Sequence, residues 1–314
     1  MKLQQLRALC VIADENMSMS RAARVLCTTQ PAVSKQIRQL EDSLGLTLLL
    51  RSKSRILGFT EAGEDVLRAA RTVMMATQDI QSMVGDHLRR TGGRLAIATT
   101  HTHARYTLSG ILPEFSRRHP GVAVHLVQAT PDDIPLLIVG GQVDIGICTT
   151  PHHVPSSLVG ITCYVFEHVL VGPPGHPALA EEPVTLASIA ASPLISYSEQ
   201  HAIARRLTAA LEEAGLPQNV VVRGTDVEVM KHYAALGLGL AVIPRNAYTP
   251  ADRERLAARG VDHLLPPSMV YVLARRGAYW PRHLYEFVNL LSPVLTRTVV
   301  EQALRDGEPP GERL

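Results

Sequence analysis

Thr29-Gln30-Pro31-Ala32-Val33-Ser34-Lys35-Gln36-Ile37-Arg38-Gln39-Leu40-Glu41-Asp42-Ser43-Leu44-Gly45 is the stretch on which the reading of this chain turns. It carries its own start and stop. Thr29 offers a side-chain oxygen to the free amides of a first helical turn. Pro31 falls where a missing N–H costs nothing, and Gly45 suits the residue that ends a helix. Val33, Ile37, Leu40 and Leu44 recur at three- and four-residue spacing and make one apolar face. Gln30, Ser34, Lys35, Arg38 and Gln39 lie away from it. A helix with a donor-rich face fits the major groove of DNA, where glutamine pairs with adenine and arginine or lysine with guanine. The first residues of such a helix reach bases while its flanks hold phosphates. Gln30, Ser34 and Lys35 are therefore expected near bases, and Arg38 on phosphate. A solvated helix face of an ordinary helical domain carries the same pattern, so the surroundings have to decide.

Upstream, Leu3, Leu6, Cys10 and Ala13 keep helical spacing and predict an opening helix. Ser18 caps a second one, Met19 to Leu26, whose Ala22-Ala23 pair permits close approach. Cys27-Thr28-Thr29 makes the turn. Downstream, Leu48 to Phe59 predicts two short strands around Ser52-Lys53-Ser54, a wing whose Arg51, Lys53 and Arg55 are placed to hold phosphates. Before residue 61 the bases Lys2, Arg7, Arg21, Arg24, Lys35, Arg38, Arg51, Lys53 and Arg55 face only Asp14, Glu15, Glu41 and Asp42, whereas the whole chain carries a net charge of +2. A basic block on a nearly neutral body points to double-stranded DNA as the partner of that block.

Thr60 caps a predicted long helix, Glu61 to about Arg90. Val66, Ala70, Val73, Thr77, Ile80 and Val84 alternate spacings of four and three along it, a heptad seam suited to a second copy of the chain. An amphipathic helix lying on its own core has the same look. Thr91-Gly92-Gly93 reads as a hinge, and beyond it strands alternate with helices. Strands are expected at Leu95–Ala98, Val122–Val127, Val143–Ile147, His168–Val171, Leu194–Tyr197, Val220–Val222, Leu240–Ile243 and Val270–Leu273. Such alternation predicts mainly parallel sheets with helices on both faces. Its length allows two small α/β lobes.

A chain of 314 residues exceeds one typical domain. The expected organisation is a DNA-binding unit over 1–60, a dimerising linker helix over 61–90, one lobe from 91–164 with 268–294, a second lobe from 165–267, and a polar C-terminal extension over 295–314. No run of about 18 apolar residues suggests a membrane span, and the opening residues lack the apolar core of a signal peptide. A cytoplasmic protein is expected, with Cys10, Cys27, Cys148 and Cys163 reduced.

A pocket follows from the strand pattern. Leu95–Ala98 runs into Thr99-Thr100-His101-Thr102-His103, and Thr149-Thr150 follows a second strand in the same way. Ligands of open α/β folds sit at strand carboxyl ends, and free amides there suit an anion. A small oxyanion or carboxylate is the expected ligand, although a single threonine in such a place often only caps a helix. His101-x-His103 and His152-His153 raise a metal sensor as a rival, but no cysteine or carboxylate completes a tetrahedral set, and no metal is expected. No catalytic signature surrounds Cys148 or Cys163, and neither a nucleophile elbow nor a P-loop is present. Neither enzymatic activity nor a cofactor is expected. A solute-binding protein would share the lobes but not the basic N-terminal block.

Several segments together resemble the LysR-type transcriptional regulators. They are Ser18-Met19-Ser20-Arg21-Ala22-Ala23, the Thr29–Glu41 run, Leu44-Gly45, Arg51 and Thr60-Glu61-Ala62-Gly63. The likeness continues through Ile97–Thr102, Ala104-Arg105-Tyr106, Thr225-Asp226, Gly237-Leu238-Gly239 and Leu295-Thr296-Arg297, and is greatest with the CysB-type branch. The resemblance implies a winged helix-turn-helix, a dimerising linker helix and a two-lobed effector domain similar to periplasmic binding proteins. It further implies assembly as dimers or tetramers and control of sulfur-assimilation or related genes, usually as an activator working with RNA polymerase. The branch places a sulfate-like anion or an acetylated serine (O- or N-acetyl) in the cleft, which implies Thr100, Thr102 and Thr149 as effector-binding residues. Two positions depart from the pattern. His103 stands where the branch has Gln, replacing its donor or becoming a charged partner below about pH 6.5. Ala202 stands where a Thr is expected.

Overall fold

The computed structural model describes residues 1–52, 55–88 and 92–307. Lys53, Thr91 and the last seven residues of the C-terminal extension, 308–314, lie outside them. The chain divides into two compact units, Met1–Leu88 and Arg89–Leu314.

The first unit opens with helix α1 (Leu3–Asp14), followed by α2 (Met19–Val25) and α3 (Gln30–Leu44). The Ser18 side chain accepts from the Arg21 amide and Thr29 from the Ala32 amide, so both start signals operate. Gly45 adopts φ +68°, the left-handed conformation that releases the chain from α3. Strands β1 (Leu49–Ser52) and β2 (Arg55–Phe59) pair antiparallel, Leu49 against Phe59 and Ser52 against Arg55. Leu9, Ile12, Val33, Ile37, Leu40 and Leu48 are fully buried in one core. Helix α4 (Glu61–His87) adds Leu67 and Ala70 to it. Gly63, in the first turn of α4, lies so close to the chain just before β1 that a Cβ there would stand 2.1 Å from the Leu48 carbonyl oxygen. The glycine of Thr60-Glu61-Ala62-Gly63 is thus a packing requirement. Beyond the core the seam emerges: Val73, Ile80 and Val84 are exposed, Ile80 at 61%.

The second unit begins with β3 (Gly92–Thr99). A helix follows without a break over 101–118, wound as a π-helix at His103–Thr107 and as α5 at Leu108–Arg118. Next come β4 (Gly121–Gln128), α6 (Ile134–Val139), β5 (Ile145–Thr149) and β6 (Leu158–Phe166). The chain then enters a second sheet through β7 (His168–Gly172), α7 (Pro177–Ala180), α8 (Leu186–Ala190), β8 (Leu194–Tyr197), α9 (Ala202–Glu213), β9 (Val220–Gly224), α10 (Val227–Ala235), β10 (Leu240–Pro244) and β11 (Ala257–Gly260). It returns through β12 (Ser268–Arg275) and closes with α11 (Arg282–Leu291) and α12 (Arg297–Asp306). The first sheet has the order β4-β3-β5-β12-β6 and the second β11-β7-β10-β8-β9.

The sheets are mixed, which corrects the expectation of mainly parallel ones. β3 pairs parallel with β4 and β5, and β8 with β9 and β10. β12 runs antiparallel to β5 and β6, and β7 antiparallel to β10 and β11. The cause is the double crossing between lobes. β6 and β12 lead out of and back into the first sheet side by side, so they must oppose each other. β6 and β11 are also the two strands that the sequence did not suggest. Phe115, Phe287 and Val288 pack on one face of the first sheet, and Ile134, Ile138 and Leu273 on the other.

Candidate functional site

The helix α3 turns Val33, Ile37 and Leu40 inward, so helical geometry alone delivers the remaining residues to the surface. Gln30, Lys35 and Arg38 are exposed and Ser34 is half-buried. Gln30 Oε1 accepts from Ser20 on α2, 3.4 Å away. On the wing, Arg55 is exposed, whereas Arg51 is tied back to α3 by its 2.8 Å ion pair with Glu41. Glu41 Oε1 also accepts from the Leu48 and Leu49 amides at 2.9 and 3.3 Å. This carboxylate fastens the wing to the helix, a role for which periodicity gave no signal. Lys53 lies outside the described residues.

In the second unit, strand carboxyl ends converge on an open cleft with about 370 Å³ of empty space, the solvent at its mouth included. Thr100, Thr102 and His103, close together in sequence, are joined there by Thr149 from a second strand end. The first lobe adds Phe166 and Ser268; the second supplies His168, Tyr197, His201, Ala202, Ile203 and Pro244. None of these lining residues carries an Asp, Glu, Lys or Arg side chain. Tyr197 ends a strand just as Thr149 does, so the strand-end rule could have found it. Phe166 and His168 straddle the crossing between lobes and had no local signal.

His103 is buried, and its Nδ1 lies 2.9 Å from the Tyr164 hydroxyl, which in turn meets Thr107 Oγ1 at 3.1 Å. Burial, aided by the nearby His201, holds its pKa down to about 4. The ring is therefore neutral well below pH 6.5, which favours the neutral donor over the charged partner among the two expected roles. Burial likewise lowers His168 and His201 to about 4. His168 Nε2 meets Ser268 Oγ at 3.2 Å, while its Nδ1 is buried without a partner among the described residues. Burial pushes the Tyr197 phenol well above its usual range, the adjacent Thr102 hydroxyl pulling the other way, and its Oη closes no hydrogen bond of normal geometry. Buried polar groups are almost always paired. His168 Nδ1 and Tyr197 Oη are exceptions among the described residues, both on side chains that line the cleft.

The rim is clasped across the lobes. Tyr106, on the π-helical turn, hydrogen-bonds Glu228 and accepts from Lys231 Nζ at 3.0 Å. Lys231 is 4% exposed and also reaches Asp252 at 2.9 Å and Glu228 at 2.8 Å. His101 pairs with Asp226 at 3.3 Å, whereas His103 is bonded to Tyr164. His152 pairs with Asp132 at 2.7 Å. Among the described residues no group of three or more His, Cys, Asp or Glu is set to hold a metal, and no helix is long and apolar enough to cross a membrane. Burial raises the Cys163 thiol to about 12.

Comparison with known proteins joins these two regions. The family described as LysR substrate binding domain matches residues 89–296, and that described as bacterial regulatory helix-turn-helix protein, lysR family, matches residues 3–64. The HTH-type transcriptional regulator CysB of Haemophilus influenzae is 34% identical over 305 residues, covering 97% of this chain and 94% of the relative. The regulator SsuR of Burkholderia cenocepacia is 33% identical over 306 residues, covering 98% and 99%. The solved cofactor-binding domain of the Cbl transcriptional regulator is 31% identical, with a TM-score of 0.65, covering 69% of this chain and 96% of that one. With both domains matched in order, the chain belongs to the LysR family: it is a ligand-responsive, DNA-binding transcription regulator and not an enzyme.

Proposed function

We propose that this regulator controls sulfur-assimilation or related metabolic genes, as an activator, in response to a small anion in the cleft between its lobes. A sulfate-like ion and O- or N-acetylserine are the candidate effectors. The observation that carries the reading is a cleft that presents the hydroxyls of Thr100, Thr102 and Thr149 beside two buried polar atoms, Tyr197 Oη and His168 Nδ1, that close no hydrogen bond of normal geometry among the described residues. Relatives named CysB and SsuR support the sulfur connection.

On this reading Gln30, Ser34 and Lys35 contact bases, and Arg38, Arg51, Lys53 and Arg55 hold phosphates. The exposed Val73, Ile80 and Val84 of α4 pair with a second copy of the chain. Dimers or tetramers then present two recognition helices at the spacing that half-sites on one face of DNA demand, with RNA polymerase as the further partner. The effector acts only through unequal affinity for two arrangements of those helices.

Thermal denaturation of the protein with sulfate, thiosulfate, O-acetylserine or N-acetylserine tests the cleft. A true ligand at a hundred times its Kd stabilises by about 2.7 kcal/mol. Thr102→Val removes one donor and weakens that ligand by about 1–3 kcal/mol. Footprints on DNA that are identical with and without the stabilising ligand sink the switch.

A further inference from the structure

Tyr106 belongs to the first lobe by sequence and to the second by contact. It lies on the π-helical turn His103–Thr107, between β3 and α5. Its ring nevertheless packs against the buried core of the second lobe, the one first-lobe side chain among the described residues to do so. Its hydroxyl donates to Glu228 and accepts from Lys231 Nζ at 3.0 Å, and Nζ stands 5.3 Å from the ring centre. The socket that receives it is complete on its own. Lys231 has three N–H donors, and its own lobe offers three acceptors, the Ala247 carbonyl at 2.9 Å, Asp252 at 2.9 Å and Glu228 at 2.8 Å. The phenol therefore docks into groups already held in place, which keeps the cost of ordering low.

Neighbouring contacts between the lobes are looser. His101 with Asp226 and Arg105 with Glu228 stand 3.3 and 3.8 Å apart, all four side chains partly exposed, and exposed pairs contribute little. Tyr106 combines apolar packing with bonds to two charged groups, which are the stronger kind. Its turn also carries His103, which lines the cleft, and π-turns recur at functional sites. We infer that Tyr106 is a strap between the lobes, a positioning residue that fixes their spacing from the same turn that lines the cleft. A cleft occupant that moves His103 moves the strap with it. The inference holds whatever the cleft takes and does not rest on the anion reading.

Pulsed electron–electron resonance on the full chain tests it without a ligand. Cys27→Ser removes the exposed thiol, the other three cysteines being buried. Nitroxides at Ser109→Cys on α5 or Leu136→Cys on α6, helices on opposite faces of the first sheet, are each paired with one at Glu213→Cys on α9; all three positions are exposed. Singly labelled proteins supply the distances between copies, which are subtracted. Tyr106→Phe keeps the ring and loses the hydroxyl. It should enlarge the population at longer distances about tenfold in at least one pair. Glu228→Ala does the same from the other side should Tyr106→Phe disturb folding. A side chain that served folding alone would lower the urea midpoint and leave the distances as they are. Distributions that neither variant moves, or that shift only to shorter distances, overturn the inference.

Discussion

The outer face of α3 and the lining of the cleft are both built from polar side chains, but they hold them in opposite ways. On α3, Gln30, Lys35 and Arg38 stand in solvent, arranged by the period of one helix. In the cleft, polar residues between Thr100 and Ser268 are gathered from both lobes, most of them buried. Exposed groups keep water as a partner until a ligand arrives, so folding is nearly indifferent to them. Buried groups must be satisfied by the fold itself. The teaching of the contrast is that stability and function are separable on the helix and entangled around the cleft.

Paired substitutions put the largest strain on that contrast. Lys231→Met leaves Asp252, 3% exposed, and its neighbour Glu228 without their common cation. Breaking a buried pair in this way costs about 3–5 kcal/mol. Lys35→Met changes a solvated helix face and should shift stability by no more than about 0.5 kcal/mol, while weakening DNA binding. Urea denaturation of both variants gives the numbers. Similar losses for the two would erase the distinction.

The cleft histidines add a pH dependence that α3 lacks. His103 and His168 titrate near 4 when folded against 6.5 when free. Between those values the unfolded chain binds more protons, so stability is full above about pH 6.5 and falls as pH drops toward 4. Each ring contributes up to about 3 kcal/mol across that window. The urea midpoint measured from pH 7.5 to 4.5 should decline, and His103→Gln, which cannot titrate, should decline less. Parallel profiles for the two proteins would show that burial of this ring is not what sets the slope.

The same contrast explains what could be read from the chain. The helix, its caps at Ser18 and Thr29 and its buried stripe are local patterns, and they appear in the fold where the periodicity put them. The strand ends carrying Thr100, Thr102 and Thr149 were legible because a strand running into a helix start is local too. The mixed sheets were not, because the pairing of β12 with β6 joins residues a hundred positions apart. Nor was the protonation of His103, since a sequence shows an imidazole but not the walls around it. Glu41 was hidden for the same reason: its bonds to Leu48, Leu49 and Arg51 depend on how the wing folds back.

The smallest expected effect separates two arginines that sequence treats alike. Arg38 is exposed and enters no ion pair among the described residues, whereas Arg51 is already spent on Glu41. A cation that neutralises one phosphate releases about one counterion, and its loss lowers the salt slope of binding by about 1. Arg38→Ala should therefore weaken binding evenly on all DNA sequences and flatten that slope by the full amount. Arg51→Ala should flatten it less, because its charge is partly cancelled by the carboxylate 2.8 Å away. Affinities measured from 50 to 200 mM salt on one operator and on scrambled DNA decide the matter. If Arg38→Ala instead loses affinity at a single base position with the slope intact, Arg38 reads a base, and the division of α3 into a base-reading start and a phosphate-holding flank has to move toward Leu40.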